Sequence, residues 1–387
     1  MLTFAPLRVT LAAFAMIVAF LSGCSPRAPL WLGGSPETPL VSPRALTAMA
    51  AALSLNDAQR SIASDLHAAY SAQHQQSARK YADYQKVAEG ILARNKDAAT
   101  VARRDEATIK FARHADRLAD QFLEDLGLVL TPEQRPRWES ALRALRRCQM
   151  LGPVYSEKSA DLLAVVDGPP ALLTPAERAA VAPTLDEWEI AIDAVLIRKA
   201  AFIRSTLPSR LQADREEDQQ TASDQFRRWR LIVREERVLT GRAAAAISGA
   251  VPESAAAQVT RSVYQQTYPW LFQNAPTAEY IRIARETPDL PEPARAALDE
   301  LMKQDELERA DLAVATARSF EQWERTASDE QLASAGDHPE PPAAVLARFE
   351  AHERRVTDAL ANLLTPEQFE ATGARRAVKS LPPIEFE

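Results

Sequence analysis

The chain has 387 residues, with 46 Lys and Arg against 53 Asp and Glu and a formal net charge of −7. That acidic balance excludes binding of nucleic acid through a broad cationic surface; the densest basic stretch, residues 227–237, is interrupted by Glu235 and Glu236 and reads as a solvated helix face. The length allows two or three domains.

Residues 1–8 carry Arg8 and no acid, and an apolar run follows from Val9 to Leu21. A membrane-spanning helix needs about 20 apolar residues, so this shorter run predicts the core of a signal peptide. It closes with Leu21-Ser22-Gly23-Cys24, which resembles a bacterial lipobox. The resemblance implies cleavage before Cys24, removal of residues 1–23, diacylglycerol on the Cys24 sulfur and acylation of the new amino group. Several acyl chains hold a protein stably, each buried methylene adding about 0.8 kcal/mol. An ordinary secretory signal with an incidental cysteine is the competing reading. Ser25 follows Cys24, where this class of signal uses Asp for inner-membrane retention. The expected address is the cell envelope, lipid-anchored at the outer membrane and facing the periplasm. Residues 24–43 hold Pro26, Pro29, Pro36, Pro39 and Pro43 with Gly33-Gly34, a composition that predicts a tether.

Three segments then begin alike: "LNDAQRSI" at Leu55, "LTPAERAAV" at Leu173 and "LPEPARAAL" at Leu290. A second signal recurs downstream of each: "LTPEQRPRW" at Leu130, "VPESAAAQV" at Val251 and "LTPEQFEAT" at Leu364. The near-constant spacing predicts three tandem helical repeats, residues 44–150, 151–269 and 270–387. Within the second, Val181, Leu185, Trp188, Ile192, Val195 and Phe202 fall at the steps of an amphipathic helix. Breakers are expected at Gly90, at Pro208 and between Ser328 and Pro342, with Gly127 capping the returning helix of the first repeat. That returning face carries Phe111, Leu118, Phe122 and Leu126; its counterpart in the second repeat carries Phe226, Trp229, Ile232 and Ile247. Short helices at 44–53, before Leu173 and before Leu290 join the repeats. The predicted fold is all-α: three long antiparallel helical hairpins, each closed by a shorter helix. Acylation of Cys24 leaves Cys148 as the one thiol, so no internal disulfide forms. Trp138, Ala141, Leu145 and Cys148 share a helical stripe, which predicts a buried, inert thiol; a redox or intermolecular role is the alternative.

The recurring signal is a helix start. In "LTPEQ", Thr131 is the expected N-cap, Pro132 fills the first helical position without needing an N–H, and Gln134 reaches back to complete a capping box. The same roles fall to Thr365 with Gln368, Thr174 with Glu177, and Asn56 with Gln59. Each cap stabilises its helix by about 1 kcal/mol.

On these residues the chain resembles the LTXXQ-motif family of periplasmic helical proteins, which includes Spy- and CpxP-like chaperones and zinc-resistance-associated proteins. Leu130–Gln134 and Leu364–Gln368 match the motif in full. Leu55–Gln59 departs by Asn56 for Thr, and Leu173–Glu177 by Glu for Gln. Unit by unit, the likeness extends over most of residues 53–376. It implies a thin helical hairpin per unit and chaperone-like contact with protein. Members usually carry one such unit, where this chain would carry three.

No paired Glu-x-x-His of a di-iron bundle occurs, and "AHERRV" at His352 lacks the second histidine of a zinc-protease helix. There is no glycine-rich phosphate loop and no Gly-x-Ser-x-Gly elbow. Asp186 and Glu189 read as solvated charge. No enzyme activity and no cofactor are expected. The candidate metal ligands are His67, His74 and His114. His67 and His74 lie seven residues apart, about 10 Å along a helix, so one ion cannot take both. His114, on the returning helix, can approach His74, but no Cys or acid completes the set. The expectation is a lipid-anchored envelope protein acting by contact, as scaffold, adaptor or holdase-like chaperone, on protein partners or unfolded clients and not on nucleic acid. An envelope metal- or stress-sensing protein is the alternative.

Overall fold

The computed structural model describes residues 36–95, 97–151, 159–169, 171–272, 276–288, 290–334 and 342–374. The expected signal peptide, Cys24 and most of the tether lie outside the described residues. The protein is all-α, with no strand among the described residues, and none of its described helices is long and apolar enough to cross a membrane. The chain forms two compact units. Of the described residues, the larger contains those from 36 to 267 and from 328 to 333; the smaller contains those from 268 to 327, residue 334 and residues 342–374.

The larger unit opens with α1 (Pro43–Ala52), capped by the Ser42 hydroxyl, which accepts from the Ala45 N–H, with Pro43 in the first turn. Two long helices follow, α2 (Asp57–Leu92) and α3 (Ala98–Leu128). Gln59 meets Val129, Ser77 meets His114, and Tyr81 meets Thr108. One number rises as the other falls, so the pair is antiparallel, and α2 spans about 54 Å. A turn of 3₁₀ helix (Arg135–Arg137) leads into α4 (Trp138–Met150). The core here joins Met49 and Leu53 of α1, Tyr70 of α2, Phe122 and Leu126 of α3, and Ala141 and Leu145 of α4. Trp138 and Cys148 pack against its edge.

The same order of short, long, long, short recurs in α5 (Leu162–Asp167), α6 (Pro175–Glu216), α7 (Gln219–Ala250) and α8 (Glu253–Thr267). The six residues of the anticipated seam, Val181 to Phe202, are all buried on α6, and Trp188 donates to the Thr240 hydroxyl of α7 at 3.2 Å. Phe226, Trp229 and Ile247 answer from α7, with Ile232 at the edge.

Three expected interruptions fall elsewhere. Pro208 does not break its helix: α6 continues through both Pro183 and Pro208 to Glu216. A proline inside a helix costs about 3 kcal/mol. Ile203, Leu207 and Leu211 are buried around it, each worth about 1.5–3 kcal/mol, and so outweigh that cost. The turn forms instead at Glu217, in the left-handed region at φ 54°, and Asp218 caps α7 through the Thr221 N–H. Gly90 lies inside α2, and the reversal comes after Leu92, where the Asp97 carboxylate takes the N–H groups of Ala99 and Thr100. Gly127 is likewise helical; α3 ends at Leu128, and Val129 closes it in the right-handed region.

The smaller unit comprises α9 (Pro269–Phe272), α10 (Pro276–Arg285), α11 (Glu292–Thr326), α13 (Ala343–Leu363) and α14 (Pro366–Ala371). Between α11 and α13 the chain forms α12 (Asp329–Ser334), whose residues 329–333 belong to the larger unit; there Asp329 pairs with Arg234 of α7 at 3.6 Å. Leu298 of α11, Val356 and Leu360 of α13 and Ile281 and Ala284 of α10 make the core, joined by the signal leucines Leu290 and Leu364. Phe369, at the staple position of α14 relative to Leu364, packs against this core.

Candidate functional site

The signal residues sit at helix starts, and three of the four pairs make reciprocal boxes. The Asn56 side chain accepts from the Gln59 N–H at 2.9 Å, and the Gln59 side chain accepts from the Asn56 N–H at 3.1 Å. Thr174 and Glu177 do the same at 3.3 and 2.8 Å, as do Thr365 and Gln368 at 3.3 and 3.0 Å. The Thr131 pair departs from expectation. Gln134 still takes the Thr131 N–H at 3.0 Å, but Thr131 caps no α-helix; a turn and the 3₁₀ segment intervene before α4. Pro136 is the physical cause. It lies four residues after Pro132 and has no N–H for the carbonyl that a regular α-turn would present.

Gln134 does something that local capping does not require. Its amide pairs with that of Gln59: Gln59 Nε2 donates to Gln134 Oε1 at 2.7 Å, and Gln134 Nε2 donates to Gln59 Oε1 at 2.9 Å. Gln59 also reaches the Val129 carbonyl, and Gln134 that of Ser54. The Leu55 and Leu130 signals therefore meet at the base of the α2–α3 hairpin. After Leu173 the matching position is Glu177 and after Leu290 it is Ala294, so no such pair of glutamines is available there.

The three candidate histidines line the inside of the same hairpin. His67 is buried and its Nε2 donates to the Val41 carbonyl at 2.8 Å, with its ring against Tyr70 and Phe122. His74 is 2% exposed, packs on the edge of Phe111, and its Nδ1 has no hydrogen-bond partner. His114 bonds Ser77 Oγ at 3.0 Å. Burial, and then the charge of His114, push the His74 imidazole below its ordinary value. No cluster of three or more His, Cys, Asp or Glu suited to a metal ion occurs among the described residues. Burial pushes the Cys148 thiol up, and Asp161 adds to the effect.

Two charged stretches behave unlike solvated faces. Residues 227–237 bury Arg230, Glu236 and Arg237. Glu236 accepts from Lys199 Nζ at 2.5 Å and from the Ser159 N–H at 2.8 Å, and the Lys199 ammonium lies 5.2 Å from the centre of the Trp229 ring. A buried carboxylate is tolerable only when paired and hydrogen-bonded in this way. Glu189 also departs from expectation: it is held by Arg143 and Arg147 of α4, while the neighbouring Asp193 binds Arg146 Nε at 2.6 Å. Asp186 is exposed, as the helix period requires. Arg147 further approaches Asp161 at 3.6 Å, and burial holds that carboxyl above the usual range despite the arginine.

In the smaller unit, His352 of α13 is 3% exposed and has a carboxylate on each ring nitrogen. Nε2 lies 2.9 Å from Asp305 Oδ1 and Nδ1 lies 2.7 Å from Glu308 Oε2. Arg309 holds the other Asp305 oxygen at 2.7 Å, and Arg355 holds the other Glu308 oxygen. The Asp305 and Glu308 bonds raise the imidazole above its ordinary value, and burial only partly opposes them. Burial would raise Asp305, but the His352 bond, the Thr277 hydroxyl and the Arg309 charge outweigh it and hold the carboxyl low. The sequence signal was an acid pair three apart, Asp305 and Glu308, opposite a lone histidine.

Large apolar side chains are also left facing water. Tyr84, Val87 and Ile91 are 40%, 64% and 40% exposed and fall at helical steps on one side of α2. Ile190 and Ile197, seven residues apart on α6, are similarly exposed. No family model, curated protein or solved structure matches this chain.

Proposed function

We propose that this is a lipid-anchored cell-envelope protein, held through Cys24 at the outer membrane and facing the periplasm, that acts by contact as a scaffold, adaptor or holdase-like chaperone. The observation that carries this function is the exposed apolar side of α2, where Tyr84, Val87 and Ile91 follow one another at helical steps. Scattered apolar residues on a surface are ordinary, whereas residues aligned on one face offer a contact strip. An extended, unfolded chain is the occupant that suits a narrow strip on a long helix. The lipobox-like residues 21–24 and the proline-rich tether support the address. No catalytic role is proposed.

The test dilutes a denatured client into buffer with and without the protein. Suppressed aggregation that is lost in Tyr84→Ser/Val87→Ser/Ile91→Ser is the expected result. No suppression at several-fold excess rejects the holdase role and leaves scaffold or adaptor. A mass spectrum of the mature N-terminus with an unmodified Cys24 removes the anchor.

Metal or stress sensing is the second function with an observation behind it, the unpartnered His74 Nδ1 beside His114. Calorimetric titration with zinc decides it: the absence of heat at stoichiometric protein disposes of the metal role.

A further inference from the structure

We propose that His352 is a proton-operated latch between α11 and α13, closed when both ring nitrogens carry a proton and released when one is lost. A neutral imidazole has one N–H and one lone pair. Here both nitrogens face carboxylate oxygens, which only accept, so the geometry is satisfied by the doubly protonated ring alone. When one proton leaves, a lone pair confronts a carboxylate across less than 3 Å, and one of the two contacts must open.

Which contact opens follows from burial. The Asp305 carboxylate is fully buried and keeps Arg309, so it has no route to water. The Glu308 side chain is 44% exposed and keeps Arg355, itself 61% exposed, as a solvent-accessible partner. The outer contact, His352 Nδ1 to Glu308, is therefore the one that releases. Glu353, next to His352 on α13, is half-buried and held above its usual range by burial, with Tyr280 of α10 nearby. On α10, Arg282 is engaged by Glu279 and Glu286, and Arg285 by Asp299 of α11. Thr277 of α10 faces Asp305 through an uncharged hydroxyl. α14 follows the C-terminus of α13, three turns from His352.

The sign is the reverse of ordinary acid denaturation. A histidine raised in the folded state contributes stability that is complete below the unfolded value, near 6.5, and fades as pH rises through the folded value. Glu353, also raised, works in the same direction at lower pH. The α11–α13 contact is thus closed below the unfolded value and loosened as pH rises through the higher folded value.

The test is carried out on the full chain, labelled at the ring carbon of its five histidines and followed by NMR against pH, with His352 assigned through His352→Gln. The expected result is a His352 midpoint above the unperturbed imidazole value, together with faster exchange of α13 amides as pH rises, after correction for intrinsic rates. Glu308→Gln preserves the volume and the exposed position; it should lower the His352 midpoint and remove much of the pH dependence of α13. A His352 midpoint at or below the unperturbed value overturns the proposal. So does α13 protection that is indifferent to pH in the natural chain, or that keeps its full pH dependence in Glu308→Gln.

Discussion

Gln59 and Gln134, 75 residues apart in the chain, bond amide to amide at the base of the first hairpin, at 2.7 and 2.9 Å. Each glutamine therefore has two tasks. It closes a local turn, and it ties the start of α2 to the segment that ends α3.

From this pairing, Gln134→Ala should destabilise the larger unit by about 2–4 kcal/mol, since it removes four partly exposed neutral hydrogen bonds, each at the lower end of the usual range. Gln59→Ala should cost somewhat more, because Gln59 is buried where Gln134 is half-buried, and its loss opens a full capping box at Asn56. The double variant should lose less than the two single losses added, since both break the same bonds. Urea unfolding, with exchange of α2 amides as the local probe, measures all three.

Lys199 and Glu236 are both buried, and each neutralises the other. Lys199→Met strands the carboxylate and should destabilise by about 3–5 kcal/mol. Adding Glu236→Gln should recover part of that loss, because a neutral amide can still accept from Ser159 N–H. Thermal unfolding of the three variants provides the comparison.

Gly90 sits on the exposed side of α2, and a Cβ built there meets nothing within 4 Å. Gly90→Ala should raise the stability of the hairpin by about 0.5–1 kcal/mol through helix propensity alone. Denaturant midpoints check this, and a loss would show that the helix needs the glycine.

His74 should respond to acid with the opposite sign to His352. Its folded value is lowered, so its contribution is present above about 6.5 and is lost as pH falls through the folded value. Amides at the middle of α2 and α3 should exchange faster at pH 5 than at pH 7 after intrinsic correction. His74→Phe, placed against Phe111, should remove that difference.

Much of the fold was legible because apolar periodicity survives into burial: Val181, Leu185 and Trp188 point inward as their spacing dictates. The signal leucines 55, 173 and 290 were legible for the same reason, each buried beside its helix start. The charged interior was not. Glu236 and Glu189 look like surface residues until Lys199, Arg143 and Arg147, distant in the chain, are brought beside them. Pro208 misled because local propensity is outweighed by the burial of its neighbours, and Thr131 because Pro136 disturbs the turn that it would have capped. In the sequence His352 stands out only for the histidine that its motif lacks. Its true partners are two acids on another helix.

The claim that this protein works by contact along α2 is tested most directly by a photoreactive side chain placed at Val87 in living cells. Lys86, exposed but turned about 100° around the helix, serves as the control. The account predicts polypeptide adducts from Val87 that exceed those from Lys86 and that increase when cells are made to accumulate unfolded envelope protein. Equal, stress-independent adducts from the two positions would contradict it.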